Sequence, residues 1–208
     1  MLGAGSSLGE SVTTSMYTGG MDTRTRLLDA TQELLWERGY AATSPKDILS
    51  RAAAGQGSMY HHFSGKQDLA VAALEASAAA MRDDADALLR GEGTATERLV
   101  AYLERQRDSL RGCRMGRMTY DADVLSTPEL LQPVSATLAW LVETIGAVVS
   151  QGIDAGEFPS ETDAHQLASM VVATVQGGYV LARAQQDPAE FDAAVHGATT
   201  LLRTWSRR

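Results

Sequence analysis

From residue 22 onward, apolar residues recur three and four apart, and no sustained alternation of β-branched and polar positions interrupts them. Leu27, Ala30 and Leu34 form one stripe of a helix over about 22–38, which Gly39 ends. Ser44 followed by Pro45 is a helix start, with a capping hydroxyl and a proline where the missing N–H costs nothing. Ile48, Leu49 and Ala52 then give this second helix a short buried face, and Gly55 and Gly57, bracketing Gln56, break it. A third helix runs from Ser58 to Phe63, with Met59 and Phe63 four apart on its inner side. Beyond it come an Ala-rich helix from Lys66 to about Leu89, a helix capped by Thr94 to about Leu110, and a short one over about 117–125. Ser126-Thr127-Pro128 opens a long helix to about Ala155, whose apolar face carries Leu138, Leu141, Val142, Ile145, Val148 and Val149. Two last helices span about 163–185 and 188–205. The pattern predicts an all-α chain.

The second and third helices carry the first functional signal. Two short helices joined by a glycine-containing turn form a helix-turn-helix. The outer side of the third presents Ser58, Tyr60, His61 and His62, all hydrogen-bonding and none acidic. A net charge of −8 argues against nucleic acid until it is divided along the chain. Residues 21–70 carry six basic and six acidic side chains, and residues 71–208 hold −7. The acid therefore lies away from the helix-turn-helix, and DNA remains a candidate partner.

The run Gly57-Ser58-Met59-Tyr60-His61-His62-Phe63, followed by Lys66 and Leu69 and preceded by Arg38-Gly39-Tyr40 with Thr43 and Ser44, closely resembles the DNA-reading segment of TetR-family regulators. Gly55 departs from that pattern, standing where the family carries a capping Ser or Thr, as does Ala54, where it carries Val. The resemblance implies a three-helix DNA-binding head joined to a larger helical domain for ligand binding and dimerisation. It also implies that Gln56, Gly57, Ser58 and His61 face base edges, while Lys46, Tyr60, His62 and Lys66 hold phosphates with Thr43 and Ser44. Tyr40 is expected to pack beneath the head.

In the second domain the residues suited to a small-molecule pocket are Tyr102, Met115, Met118, Tyr120, Trp140, Met170, Gln176 and Tyr179. Thioethers, flat aromatic walls and a few polar tips are what such a pocket needs, and the resemblance places one among these helices. Taken singly, each Met or aromatic reads equally as core. The last two helices are rich in small and aliphatic residues. Leu167, Val171, Val175, Gly178, Leu181, Val195, Leu201 and Leu202 are the expected dimer interface, as two such helices per subunit make a four-helix bundle.

Enzyme chemistry finds little here. There is no phosphate-cradling glycine loop and no nucleophile elbow, and Asp192 with His196 reads as a surface pair rather than a metal site. No cofactor or metal is expected. The single cysteine, Cys113, fits a reducing compartment, and no apolar run is read as long enough to span a membrane. Cys113 lies between Arg111, Arg114 and Arg117, which would favour a reactive thiolate if they converge on it. The Gly112-Cys113 junction also resembles a TetR-like branch that includes electrophile and oxidant sensors. The other reading of Cys113 is a small core hydrophobe.

The expectation is thus a flexible tail at 1–20, with Met21 as a second candidate start, a DNA-binding head at 21–68 and a sensing and dimerising domain at 69–208. Such a chain would be a cytoplasmic homodimeric repressor, binding a palindromic operator in double-stranded DNA and released by a small apolar or aromatic inducer. The alternative is a helical ligand-binding or enzymatic bundle whose head does not read DNA.

Overall fold

A computed structural model describes residues 22–206, so the expected tail at 1–20 lies outside the described residues. The first helix, α1 (Thr23–Arg38), stops at Gly39, whose φ of 86° favours glycine. Next, α2 (Pro45–Ala52) starts on a capping box: the Asp47 amide donates to the Ser44 hydroxyl, and the Ser44 amide to the Asp47 carboxylate. The third, α3 (Gln56–His62), begins two residues earlier than its sequence suggests. The break before it comes from Ala53, left-handed at φ 47° and ψ 48°, so Gln56 and Gly57 are helical. Gly55 precedes α3 without any side-chain cap, as the departure at that position implies.

Leu27, Ala30 and Leu34 of α1 pack on Ile48, Ala52, Met59, Phe63 and Leu69 to form the head's own core. Leu35, one position on, belongs to a different cluster with Ala70, Leu74, Met115, Met118, Val124 and Leu130. So α1 is buried on two sides, toward the head and toward the body. Tyr40 packs on this second cluster, at the junction rather than beneath the helix-turn-helix.

The body comprises α4 (Lys66–Leu89), α5 (Ala95–Glu104), α6 (Arg114–Met118), α7 (Ala122–Ser126), α8 (Pro128–Asp154), α9 (Ala164–Gln185) and α10 (Ala189–Trp205). No strand occurs among the described residues. Helix α5 ends six residues before its expected end. The Arg107 guanidinium folds back onto the carbonyls of Leu103 at 2.7 Å, Arg105 at 2.9 Å and Tyr102 at 2.6 Å, satisfying the last turn. The single short helix expected over 117–125 is two, α6 and α7, separated by Asp121, whose carboxylate caps α7.

By length and composition α8 and α9 could each cross a bilayer, contrary to the expectation from sequence. Their apolar faces serve the body core instead: Leu141, Ile145, Val148 and Val149 of α8 meet Leu167, Val171 and Val175 of α9. Gly178 lets Phe191 of α10 approach closely, since an added Cβ would lie 2.9 Å from its ring. Phe191 in turn lies against Tyr179, with ring centroids 4.8 Å apart.

Ala53 holds a conformation that costs an L-residue roughly 1 kcal/mol, whereas glycine enters it without a Cβ clash. After the greater unfolded-state entropy of glycine is discounted, Ala53→Gly should raise the thermal midpoint by roughly 2 °C. Calorimetry measures this directly, and a lowered midpoint would show that the turn tolerates alanine without strain.

Candidate nucleic-acid interface and ligand cavity

Met59 and Phe63 are buried and fasten α3 to the head, which turns Gln56, Gly57, Ser58, Tyr60 and His61 outward. An added Cβ at Gly57 meets nothing, so that stretch of backbone is open to a partner. His62 is half-buried, its ring edge-on to His61 and Phe63. Ser44 and Lys46 are exposed beside this face.

Two of the expected phosphate ligands are placed differently. Thr43 is 2 % exposed, and its hydroxyl donates to the Gly39 carbonyl at 2.7 Å, so it closes the α1–α2 turn rather than facing outward. Lys66 is half-buried. Its Nζ donates to the Tyr40 carbonyl at 2.8 Å and sits 3.8 Å from the Tyr40 ring centre. Burial lowers its pKa, against the opposing pull of Asp123 and Asp121. Arg24, counted from sequence only as a charge, is exposed and lies 5.5 Å from the Phe63 ring centre, adding a cation beside the end of α3.

The junction between head and body is ionic and aromatic. The Glu33 carboxylate on α1 accepts from Arg111 at 2.7 Å and from Arg114 at 2.5 Å. Both guanidiniums lie on the Trp36 ring, 3.4 Å and 4.0 Å from its centre, and the Trp36 indole N–H donates to the Gly112 carbonyl at 2.9 Å. A second tie lies just past the same end of α1, where the Tyr40 and Ala41 amides donate to Asp121 Oδ2 at 2.7 and 2.9 Å. These residues were missed as a unit because they lie about 80 positions apart in the chain, and no local spacing connects them.

The junction also decides the surroundings of Cys113. Arg111 and Arg114 converge on Glu33 rather than on the thiol, whereas Arg117 lines a cavity that Cys113 lines as well. Cys113 Sγ accepts from the Gly116 amide at 3.3 Å, and the side chain packs half-buried against the core near Met81.

That cavity, about 490 Å³, lies between the end of α1, α6, α8 and α9. Of the expected pocket residues it brings together Tyr120, Gln176 and Tyr179. The Gln176 amide lies against Gly116, where any Cβ would collide with it. Met115 and Met118 are fully buried in the junction cluster, and Tyr102 is buried in the body core under Arg107. Trp140 packs on that core 5.8 Å from Arg82, while Met170 is exposed on α9. Among the cavity residues not foreseen are Arg117, Leu138, Asp121 and Arg183. The position of Arg183 was available in the sequence, for it follows Gln176 and Tyr179 at helical spacing.

The expected dimer residues divide in the same way. Leu167, Val171, Val175, Gly178, Val195 and Leu202 are buried within the subunit's own core, whereas Leu181 and Leu201 are exposed. The outward strip is offset on each helix: Met170, Gly177, Val180, Leu181 and Ala184 on α9, and Ala193, Gly197 and Leu201 on α10. The apolar stripe visible in the sequence is the one each subunit keeps for itself.

Residues 27–73 match the model for bacterial regulatory proteins of the tetR family, and residues 93–198 match the tetracyclin repressor-like C-terminal domain. The chain belongs to the TetR family. It is 28 % identical over 179 residues to an uncharacterized HTH-type transcriptional regulator of Mycobacterium tuberculosis, covering 81 % of this chain and 88 % of that one. The HTH-type transcriptional repressor NemR of Escherichia coli is 31 % identical over 112 residues, covering 50 % of this chain and 56 % of NemR. Among solved structures, a TetR regulator from Chloroflexus aurantiacus superposes with a TM-score of 0.80 at 28 % identity, over 89 % of this chain and 96 % of that one. This TetR-family chain is a DNA-binding transcriptional regulator and not an enzyme.

In this regulator the head–body tie carries a pH signature. Partial burial raises the pKa of Glu33, but hydrogen bonds from Arg111 and then Arg114 outweigh it and hold the carboxyl below its ordinary value. A carboxylate depressed on folding contributes stability above its unfolded pKa of about 4.3 and loses it as pH falls through the folded value. Glu33→Gln should therefore be less stable than the native chain in urea at pH 7, with the difference shrinking below about pH 4.3. A difference that stays constant down to pH 3 would place the stabilisation elsewhere.

Proposed function

We propose that the chain acts in the cytoplasm as a homodimeric repressor of a palindromic operator, and that a small molecule in the 490 Å³ cavity releases it. Residues 21–68 serve as the reading head, and residues 69–208 sense and dimerise. The observation that carries the DNA reading is the solvent-facing row Gln56, Gly57, Ser58, Tyr60 and His61 on a helix anchored by Met59 and Phe63. Gln56, Ser58 and His61 contact base edges where Gly57 admits close approach, and glutamine pairs bidentately with adenine. Ser44, Lys46, Tyr60, His62 and Arg24 hold phosphates. Lys66 contributes a remaining N–H donor while it stays tied to Tyr40.

One head reads too few base pairs for a useful specificity ratio, so two must act together. The outward strip on α9 and α10 is the surface on which two copies meet. Leu181 and Leu201 are about half and two-thirds exposed there, and added Cβ atoms at Gly177 and Gly197 would meet nothing within the subunit. Two helices from each copy form a four-helix interface, which sets the two α3 helices to reach successive major grooves about 34–36 Å apart.

Release requires that the ligand favour the arrangement that cannot bind DNA. The cavity is suited to this, because Gly39 and Arg38 at the end of α1 line it together with Asp121. An occupant there presses on the residues that hold α1.

The test combines assembly and binding. Leu181→Asp with Leu201→Asp should give a folded monomer by light scattering that no longer shifts DNA flanking its own gene. Val175→Asp, by contrast, buries a charge in the subunit core and should lower the thermal midpoint instead. A doubly substituted protein that remains dimeric would move the interface elsewhere. In binding-site selection, Gln56→Ala should relax preference at one base position per half-site, with a cost of about 1–3 kcal/mol at the preferred base. Unchanged selection would remove Gln56 from base reading.

A further inference from the structure

The cavity wall holds two guanidiniums without an ion-pair partner among the described residues, Arg117 on α6 and Arg183 on α9. Arg117 Nε is buried without a hydrogen-bond partner. Arg183, which is exposed, lies along Gly112, with its Cδ and Nη1 3.5 Å from where a Cβ would stand. Burial and then the like charge of Arg183 lower the pKa of Arg117, with Asp121 opposing. The other charges at the site are already engaged. Arg38 pairs with Asp47 at 3.0 Å, and both carboxylate oxygens of Asp121 accept backbone amides, from Tyr40 and Ala41 on one side and Asp123 and Val124 on the other.

Like charges side by side repel each other, and Arg117, partly buried where Arg183 is exposed, keeps part of its desolvation cost until an acceptor arrives. The planar fork of each matches a carboxylate. Beside them the wall is apolar: Leu138 of α8 and the ring of Tyr179, fixed from behind by Phe191. Resting on the ligand-gated reading above, we propose that the cavity takes an amphipathic organic anion, its carboxylate held between Arg117 and Arg183 and its apolar body against Leu138 and Tyr179. Gln176, standing over Gly116, supplies a further polar contact at the same end. This narrows the inducer from an apolar or aromatic molecule to one bearing a negative charge. It also gives a direct effect on α6, because the anion draws Arg117 toward Arg183, and α6 leads straight into Asp121, which holds the end of α1.

The test uses three carboxylates, benzoate, 2-naphthoate and octanoate, each against its neutral primary amide, with binding followed by calorimetry and thermal shift on the full chain. At least one carboxylate should bind about tenfold or more tightly than its amide. Arg117→Gln and Arg183→Gln should each remove that advantage while keeping the ligand-free operator affinity of the native chain and a thermal midpoint no lower than its own. Amides that bind as tightly as their acids, or carboxylates whose affinity is unchanged in both variants, would overturn the anion assignment. Failure of all three carboxylates to bind would overturn it as well. Operator release separates the two readings. Carboxylates that bind with arginine dependence but leave the operator occupied would retain the anion site and refute ligand-gated release. Release by an amide, indifferent to both arginines, would retain gating and refute the anion.

Discussion

The arrangement depends on one contact more than any other, the grip of Arg111 and Arg114 on Glu33 and Trp36. The head has a small core of its own, and Leu35 of α1 packs it against the body as well. Stacking two guanidiniums on an indole while both bind one carboxylate fixes planes as well as distances, which a single flexible ion pair does not. The groups are only partly exposed, so solvent screens them less than a surface pair. Asp121 adds a second hold on Tyr40 and Ala41, just past the C-terminal end of the same helix. Both ties act on the last turns of α1, where the head meets the body.

The same segment that grips the head also builds the cavity. Gly112, whose carbonyl receives the Trp36 N–H, lines the cavity, as do Arg117 and Asp121 a few residues on. In the ligand-released repressor proposed above, coupling between ligand and DNA needs no long relay. In the proposed release, a shift of α6 and α7 acts on Asp121 directly and reaches the head through the C-terminal end of α1, which both ties hold. Coupling of this kind is a difference in interaction between two arrangements, and the packed junction cluster around Met115, Met118 and Leu130 favours discrete positions over a continuous slide.

Much of this was legible in the sequence, and the failures share a cause. Helix α4 has the bounds its pattern suggests, α1 ends on Gly39 and α2 starts on Ser44 and Pro45, because caps and breakers act over a few residues. The face of α3 was readable for the same reason. What local pattern cannot show is which of two apolar faces a helix turns inward. On α1 the stripe Leu27, Ala30 and Leu34 belongs to the head, and Leu35 on its other side meets the body. On α9 and α10 the more aliphatic stripe fills the subunit's own core, and the outward strip mixes Gly177, Val180 and Leu181 with alanines. The end of α5 was misjudged because Arg107 supplies a cap from beyond the helix. The cavity arginines were hidden because a cation without a partner is a property of three-dimensional neighbours.

The claim that the head's position is set by this double attachment can be measured without DNA or ligand. A spin label at Ser58→Cys in a Cys113→Ser background reports the distance between the two recognition helices of a dimer by pulsed electron resonance. With Glu33, Trp36 and Asp121 intact, a single narrow distance distribution is expected. Combining Trp36→Leu with Asp121→Asn, which keeps the cap of α7 but turns an amide toward Tyr40 and Ala41, should broaden it while the body stays folded and dimeric. An equally narrow distribution in the substituted protein would contradict the attachment and place control of the head in α4 alone.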